Sequence, residues 1–342
     1  MPSLLPRANV YDFLKQFIAS LSLKVLKLGE TLFHLRLSCL VNPRFSVNVD
    51  RVRAVSRALA GIGWDGFVRL DMLEPEFNVL SEVYHRVGDV RVLLVLGLSA
   101  AIVDYQLAGD AFRFWNTLQK VLAKRGFKLS SIGDIRAVMG EFLNYPVNAR
   151  FNSTKRGRVA KFFNSGFADF LWDRAYKYYS DRPTEIWYGL AKTLGNRPDQ
   201  KTIVFAMKVL DLISLLVNGS YANFPRDVPI PLDVHVARMA LYSGIVKGDG
   251  SEISERVIQR NKEIFLRAWG DVAERVSEML GRRISPLRID SLVWQLSKEA
   301  QKASYRRNHA IRYIIRYLVD VANIDGNVAK NVAQELTYKM PY

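Results

Sequence analysis

Gly195-Asn196-Arg197-Pro198-Asp199-Gln200-Lys201-Thr202-Ile203-Val204-Phe205-Ala206-Met207-Lys208 is the stretch on which the fold of this chain turns. Gly-Asn-Arg-Pro reads as a tight turn, and the apolar spacing after it predicts an amphipathic helix with Lys201 in or near its first turn. Lysine is an unusual residue there, because a helix N-terminus carries partial positive charge that opposes an ammonium. Desolvation acts in the same direction, so the position favours a neutral amine. A neutral amine is what a covalent lysine nucleophile requires. The plainer alternative is a surface lysine.

Thirty-two residues after Lys201, Asp233 follows the rigid entry Pro229-Ile230-Pro231-Leu232 and opens a second helical pattern, Val234-His235-Val236-Ala237-Arg238. Its simplest role is an N-cap whose carboxylate accepts backbone N–H bonds. Phe205 and Lys208 lie four and seven residues after Lys201, and Trp294 lies four after Asp290, so each set shares one helical face. Either face could be ordinary core, and so could Trp115.

Outward from this centre, helical periodicity runs from about residue 51 to the end, as in Val52 to Leu59, Phe77 to Val87, Val90 to Tyr105 and Ala111 to Leu122. Breaks fall at Gly61-Ile62-Gly63, Gly126, Tyr145-Pro146, Asp181-Arg182-Pro183, Gly195 to Pro198, Phe224 to Pro231, Gly248-Asp249-Gly250, Ser285-Pro286 and Asp325-Gly326. The first 50 residues differ: a short helix and then alternation over Lys24–Leu28, Thr31–Val41 and Phe45–Asp50 predict a three-stranded antiparallel meander. Such a sheet must lean on something else to be stable.

The 342 residues carry 49 Lys and Arg against 33 Asp and Glu, a formal charge of +16 that suits a polyanionic partner, nucleic acid first. The apolar run Val92–Val103 is too short to span a bilayer, and no secretory signal is evident, so a cytoplasmic, nucleoid-associated protein without membrane contact is expected. One cysteine, Cys39, excludes an intramolecular disulfide and any four-cysteine metal or iron–sulfur site, and four scattered histidines make no metal set. Between Arg150 and Lys161, Lys155, Arg156 and Arg158 accompany Phe151, Phe162 and Phe163 with no acid among them, a composition that suits a phosphate backbone. Lys302, Arg306, Arg307, Arg312 and Arg316 form a second basic cluster, expected in one late helix. Solvated helical faces are the alternative for both clusters.

The motifs Asp199 to Phe205 and Pro229 to Arg238, with Ser243-Gly244, resemble the signature of the archaeal GO glycosylase (AGOG) family, 8-oxoguanine DNA glycosylase/AP lyases with a variant helix-hairpin-helix. The segments Asp104-Tyr105-Gln106-Leu107-Ala108-Gly109 leading to Trp115, and Ile289-Asp290-Ser291-Leu292-Val293-Trp294, agree as well, and the likeness covers roughly residues 65 to 305. The resemblance implies a mainly α fold of two lobes with the site in the cleft between them. It divides the chain into a 1–60 extension bearing the small N-terminal antiparallel sheet, a 61–315 glycosylase domain and a 316–342 helical extension. By the same resemblance Lys201 attacks the anomeric carbon of a flipped damaged nucleotide, and the resulting Schiff base permits β-elimination, while Asp233 takes the lysine's proton or offsets the cationic sugar. Phe205, Trp294, Trp115, Pro231, Lys208 and Asp290 match pocket positions. Gly195, Asn196, Arg197 and Gln200 belong to the hairpin that would grip phosphate, alongside Lys155, Arg156 and Arg158. The implied partner is double-stranded DNA containing oxidised bases, with single-stranded DNA a second, bound by a monomer without a soluble cofactor or metal.

One departure concerns Leu73-Glu74-Pro75-Glu76-Phe77, where the resemblance leads to glutamine rather than Glu76. An ionised carboxylate only accepts hydrogen bonds, whereas an amide also donates, so the base preference of the pocket could change. A glycosylase for another damaged base and a non-catalytic DNA-binding helix-hairpin-helix protein are the two alternative functions. The pair Lys201 and Asp233 argues against the second, since binding alone requires neither.

Overall fold

Sequence periodicity passes almost directly into helices. The computed structural model describes residues 45–248 and 253–342, which hold sixteen α-helices. The first eight are α1 (Val49–Ala60), α2 (Gly63–Met72), α3 (Pro75–Val87), α4 (Val90–Ala101), α5 (Ala111–Lys124), α6 (Ile132–Phe142), α7 (Asn152–Asn164) and α8 (Phe167–Tyr178). Then come α9 (Pro183–Leu194), α10 (Lys201–Asn218), α11 (Val234–Tyr242), α12 (Glu255–Arg260), α13 (Lys262–Leu280), α14 (Pro286–Lys302), α15 (Arg307–Arg316) and α16 (Gly326–Leu336). Their limits follow local chemistry: Pro75, Pro183 and Pro286 stand in first turns, where a missing N–H costs nothing, and Asp89, Asp110, Ser131 and Asp325 cap helices through their side chains. None of the described helices is long and apolar enough to cross a membrane.

A small antiparallel sheet is present, and the expected N-terminal meander can be compared only at its third strand. The helix and strands assigned before residue 42 lie outside the described residues. The third strand, expected over Phe45–Asp50, is only β1 (Ser46–Val47), paired with β2 (Val246–Lys247). Asn48 ends the alternation because its side chain accepts from Arg51 N, and Val52, Val55 and Leu59 then bury one face of α1. Capping and a period of 3.6 win over a period of two. The late basic cluster also divides: α14 ends at Lys302 and α15 begins at Arg307, with Ser304 and Tyr305 left-handed between them (φ 51° and 56°).

Residues from Val47 to Tyr342 form one unit with two groups of helices. In the first, α4 is the centre, buried along nearly its whole length and packed against α8, α10, α6 and α3. Gly97 permits the close approach of α10, since a Cβ there would stand 3.0 Å from Ile213 Cδ1 and 3.2 Å from Val209 Cγ1. In the second group α1 packs on α13 and α16, and α14 packs on α15, α11 and α2. A buried ion cluster ties α10 to the second group, with Arg288 of α14 2.7 Å from Asp71 of α2 and 3.1 Å from Asp211 of α10. Breaking one member of such a cluster is costly because the others stay buried and charged. Helix α10 is thereby held from both sides, and its first residue, Lys201, emerges where the groups meet.

Candidate active site

The hairpin that delivers Lys201 is built as the turn residues predict. Helix α9 ends at Leu194, Gly195 takes the left-handed φ of +64° that a side chain would resist, and α10 starts at Lys201. Trp187 Nε1 donates to Pro198 O at 2.8 Å, and Lys262 Nζ reaches Asp199 Oδ2 at 2.8 Å, fixing the loop from two sides. Arg158 donates to Ile102 O, Asn196 Oδ1 and Thr202 Oγ1 at 2.8–2.9 Å, so its guanidinium is a latch between the end of α4 and the hairpin.

Asp233 serves two partners at once. Its Oδ1 accepts from His235 N at 2.8 Å and Val236 N at 2.9 Å as the N-cap of α11, while Oδ2 lies 3.2 Å from Lys201 Nζ. The capping and catalytic readings of Asp233 are therefore compatible, one oxygen for each. The two helix N-termini that meet here, of α10 and α11, line an open groove with Arg197, Gln200, Thr202, Arg260 and Lys262.

Behind Lys201 a small recess is lined by Glu74, Glu76, Asp104, Ala111, Lys201, Phe205, Lys208, Pro231, Asp233, Asp290 and Trp294. Lys201, Phe205 and Lys208 share one face of α10, and Asp290 and Trp294 share one face of α14. At its floor the fully buried Lys208 ammonium stands 2.9 Å from Glu74, 3.0 Å from Asp290 and 3.4 Å from Glu76. Gln295 Nε2 donates to Glu74 Oε1, and Tyr317 donates to Gln295 Oε1, extending the network to the C-terminal helices.

Two lysines thus face five carboxyl groups, and the surplus is visible in proton affinities. Burial pushes Glu74 well above the ordinary carboxylate range despite Lys208, and raises Asp290 to about 6. Asp233 moves the other way: burial opposes its charge, but Lys201, His235 and the Val236 N–H outweigh burial and hold it low. Lys201 departs from the sequence expectation. Burial does favour its neutral form, yet the carboxylates of Asp233, Asp104 and Asp290 outweigh it and lift the amine above the usual lysine range. At rest the pair is an ammonium and a carboxylate, because the helix N-terminus and desolvation meet three nearby negative groups.

The structure brings Lys201, Asp233, Phe205, Lys208, Pro231, Asp290, Trp294 and Glu76 to one recess. Trp115 stands one layer back, completely buried, its Nε1 donating to Asp104 Oδ2 at 3.0 Å, so any action on a bound base passes through Asp104. Gly195, Arg197 and Gln200 are exposed on the hairpin and Asn196 is partly buried by Arg158. Arg156 is exposed. Lys155 is corrected: it is wholly buried, near Asn148 Oδ1 and the Tyr105 ring, and does not reach a phosphate surface. Burial lowers its proton affinity accordingly. Glu74, Asp104 and Lys262 were not anticipated. Glu74 reads in sequence as the residue before a helix-starting proline, and Asp104 as the end of the helical pattern Val90 to Tyr105.

A family model described as AGOG, N-glycosylase/DNA lyase, matches residues 56–331. An N-glycosylase/DNA lyase of Pyrobaculum aerophilum is 24% identical over 250 residues, 72% of this chain and 85% of that protein. One from Thermococcus kodakarensis is 23% identical over 259 residues, 74% of this chain and 87% of its own length. The crystal structure of 8-oxoguanosine-complexed Pa-AGOG, an 8-oxoguanine DNA glycosylase from Pyrobaculum aerophilum, superposes with a TM-score of 0.61 at 19% identity, covering 86% of this chain and all of that one. At that identity the likeness concerns the fold.

Proposed function

The chain belongs to the AGOG N-glycosylase/DNA lyase family and is a DNA repair enzyme of that class; we propose that it excises 8-oxoguanine from duplex DNA and cuts the strand by β-elimination, with Lys201 as nucleophile. The observation that carries the assignment of residues is the 3.2 Å approach of Lys201 Nζ to Asp233 Oδ2 at the edge of an aromatic-lined recess.

In this reading the Lys201 amine attacks C1′ of a nucleotide turned out of the duplex, and the electrons of the N-glycosidic bond leave with the base. The ring-opened product is an imine on Nζ, which withdraws electrons and permits loss of the 3′ phosphate. Asp233, kept ionised by its surroundings, offsets positive charge as it develops on the sugar. Phe205 and Trp294 offer ring faces to the base. Glu76 Oε1 is buried without a hydrogen-bond partner, and like Asp290 it offers an acceptor to N–H groups on the base edge. 8-Oxoguanine carries an N–H at position 7, where guanine carries only a lone pair, so an acceptor-rich pocket favours the oxidised base. The exposed hairpin residues Gly195, Arg197 and Gln200, with Arg156, hold the backbone. The enzyme works as a monomer at the nucleoid, with single-stranded DNA as a second substrate, and the lysine supplies the covalent chemistry without a soluble cofactor.

Single-turnover nicking of a duplex bearing one 8-oxoguanine tests this. Wild type is expected to cut at the lesion and Asp233→Asn to be slowed on the order of 100-fold, the usual loss for a transition-state charge partner. Cutting only at another damaged base would reject the 8-oxoguanine assignment. In the same assay Glu76→Gln is expected to change the rate ratio between 8-oxoguanine and a second oxidised base by about tenfold, equivalent to roughly 1.4 kcal/mol. An unchanged ratio removes Glu76 from base reading.

A further inference from the structure

Asp104 is the one lining carboxylate that neither caps a helix nor pairs with Lys208. It lies just beyond α4, on the way to α5, and lines the recess together with Lys201, Glu76 and Asp233. Trp115 fixes one of its oxygens from behind, Nε1 to Oδ2 at 3.0 Å, and Trp115 itself cannot shift because it is enclosed in the core. The other oxygen, Oδ1, has no hydrogen-bond partner among the described residues. A carboxyl group is thus held in one orientation, with an open oxygen, in the recess that Lys201 also lines.

We infer that Asp104 is a further catalytic residue, which accepts a proton from Lys201 and delivers it to the base as the base departs. This rests on the glycosylase reading above. The steps balance. The ammonium of Lys201 gives one proton to the Asp104 carboxylate; the neutral amine forms the N–C1′ bond as the bond from C1′ to the base breaks; the base leaves with the bonding pair and takes the proton from Asp104. The carboxylate is regenerated and no other donor is consumed.

Asp233 is poorly suited to that task, since one oxygen is engaged by the α11 cap and the group is held low by Lys201 and the helix N–H bonds. For Asp104 the opposite holds. Burial and Glu76 of α3 push its carboxyl up to about 7, against Lys201 of α10, the Trp115 N–H of α5 and Lys155 of α7. The remaining charged groups lining the recess are Glu74, Lys208, Asp233 and Asp290. A donor and acceptor near neutrality is the matched condition for general acid–base work.

The pH dependence is distinctive because the reactive form has the proton on Asp104 and a neutral Lys201. Its proton count equals that of the resting pair, Asp104 ionised and Lys201 charged. Base release by wild type should therefore rise with pH up to about 7, as excess protons leave Asp104, and then stay level until the lysine titrates. Asp104→Asn keeps an acceptor for Trp115 but cannot carry the proton. Release of 8-oxoguanine by this variant should be slowed about 100-fold at neutral pH and should keep climbing through the alkaline range instead of levelling. Cleavage at a preformed abasic site needs the lysine deprotonated but has no base to protonate, so the variant should lose about tenfold less there than in base release.

Wild-type release with no break near 7, a variant with the wild-type rate and profile, or equal loss on both substrates would each overturn the inference. The first of these is read on the unmodified enzyme and does not depend on the variant folding. A wild type that cleaves abasic DNA but releases no base overturns the parent glycosylase reading, and this inference with it.

Discussion

Lys201→Gln is expected to reduce strand cleavage at 8-oxoguanine by about 10⁴-fold or more, the scale on which removal of a covalent nucleophile acts, while duplex binding changes only a few-fold. The glutamine amide fills similar space at the first position of α10 and keeps a polar tip toward Asp233, but it is not a nucleophile. The helix itself should be unaffected, because α10 is held by its buried apolar residues and by the Arg288 cluster rather than by its first side chain. Rate and affinity measured on the same preparation separate chemistry from binding. A variant that cleaves at the wild-type rate would contradict the assignment, and one that fails to bind would point to a phosphate-contacting role instead.

The second large effect concerns stability. Lys208 is the only cation that contacts Glu74, Glu76 and Asp290 among the described residues, at 2.9–3.4 Å, and all four groups are almost wholly buried. Lys208→Met retains the aliphatic stem and removes the charge, leaving three carboxyl groups without a counter-ion. The expected loss is about 3–5 kcal/mol of unfolding free energy, the range found when one partner of a buried ion pair is deleted. The sign of its pH dependence follows from Glu74 and Asp290, whose proton affinity is raised on folding by burial. A carboxyl that binds its proton more tightly in the folded chain adds stability at low pH and loses it as pH rises above the unfolded value. Removing Lys208 raises these affinities further, so the deficit should be largest at neutral pH and should shrink toward acid. Urea unfolding of both proteins at about pH 5 and pH 8 reads this directly. A deficit below about 1 kcal/mol, or one that does not change with pH, contradicts the electrostatic account of the recess floor.

How far the site was legible in the sequence depends on the reach of each signal. The hairpin was legible because its determinants are local: Gly195 for a left-handed cap, Pro198 for the turn, and an apolar period that begins beside Lys201. Asp233 was legible as a cap for the same reason. Face sharing placed Phe205 and Lys208 with Lys201, and Trp294 with Asp290, and all five line the recess. What was not legible is the direction a charge faces once helices distant in sequence pack together. Lys155 lies in a basic run yet turns inward, whereas Arg158, three residues later, becomes a hydrogen-bonded latch. The upward push on Lys201 is not legible locally, because Asp104 and Asp290 come from beyond α4 and from α14, and no local pattern announces their approach. The break between α14 and α15 was missed because Ser304 and Tyr305 take left-handed φ without a glycine or proline to mark it.

The central claim is that Nζ of Lys201 becomes covalently joined to deoxyribose. Borohydride reduction during turnover of a duplex carrying 8-oxoguanine converts such an imine to a stable amine, which shows as a protein–DNA band of retarded mobility. Wild type is expected to give that band, Lys201→Gln none, and peptide mapping of the wild-type adduct should place the modification on Lys201. An adduct mapped to another residue, or strand cleavage by wild type with no adduct under conditions that trap an imine, would contradict the account.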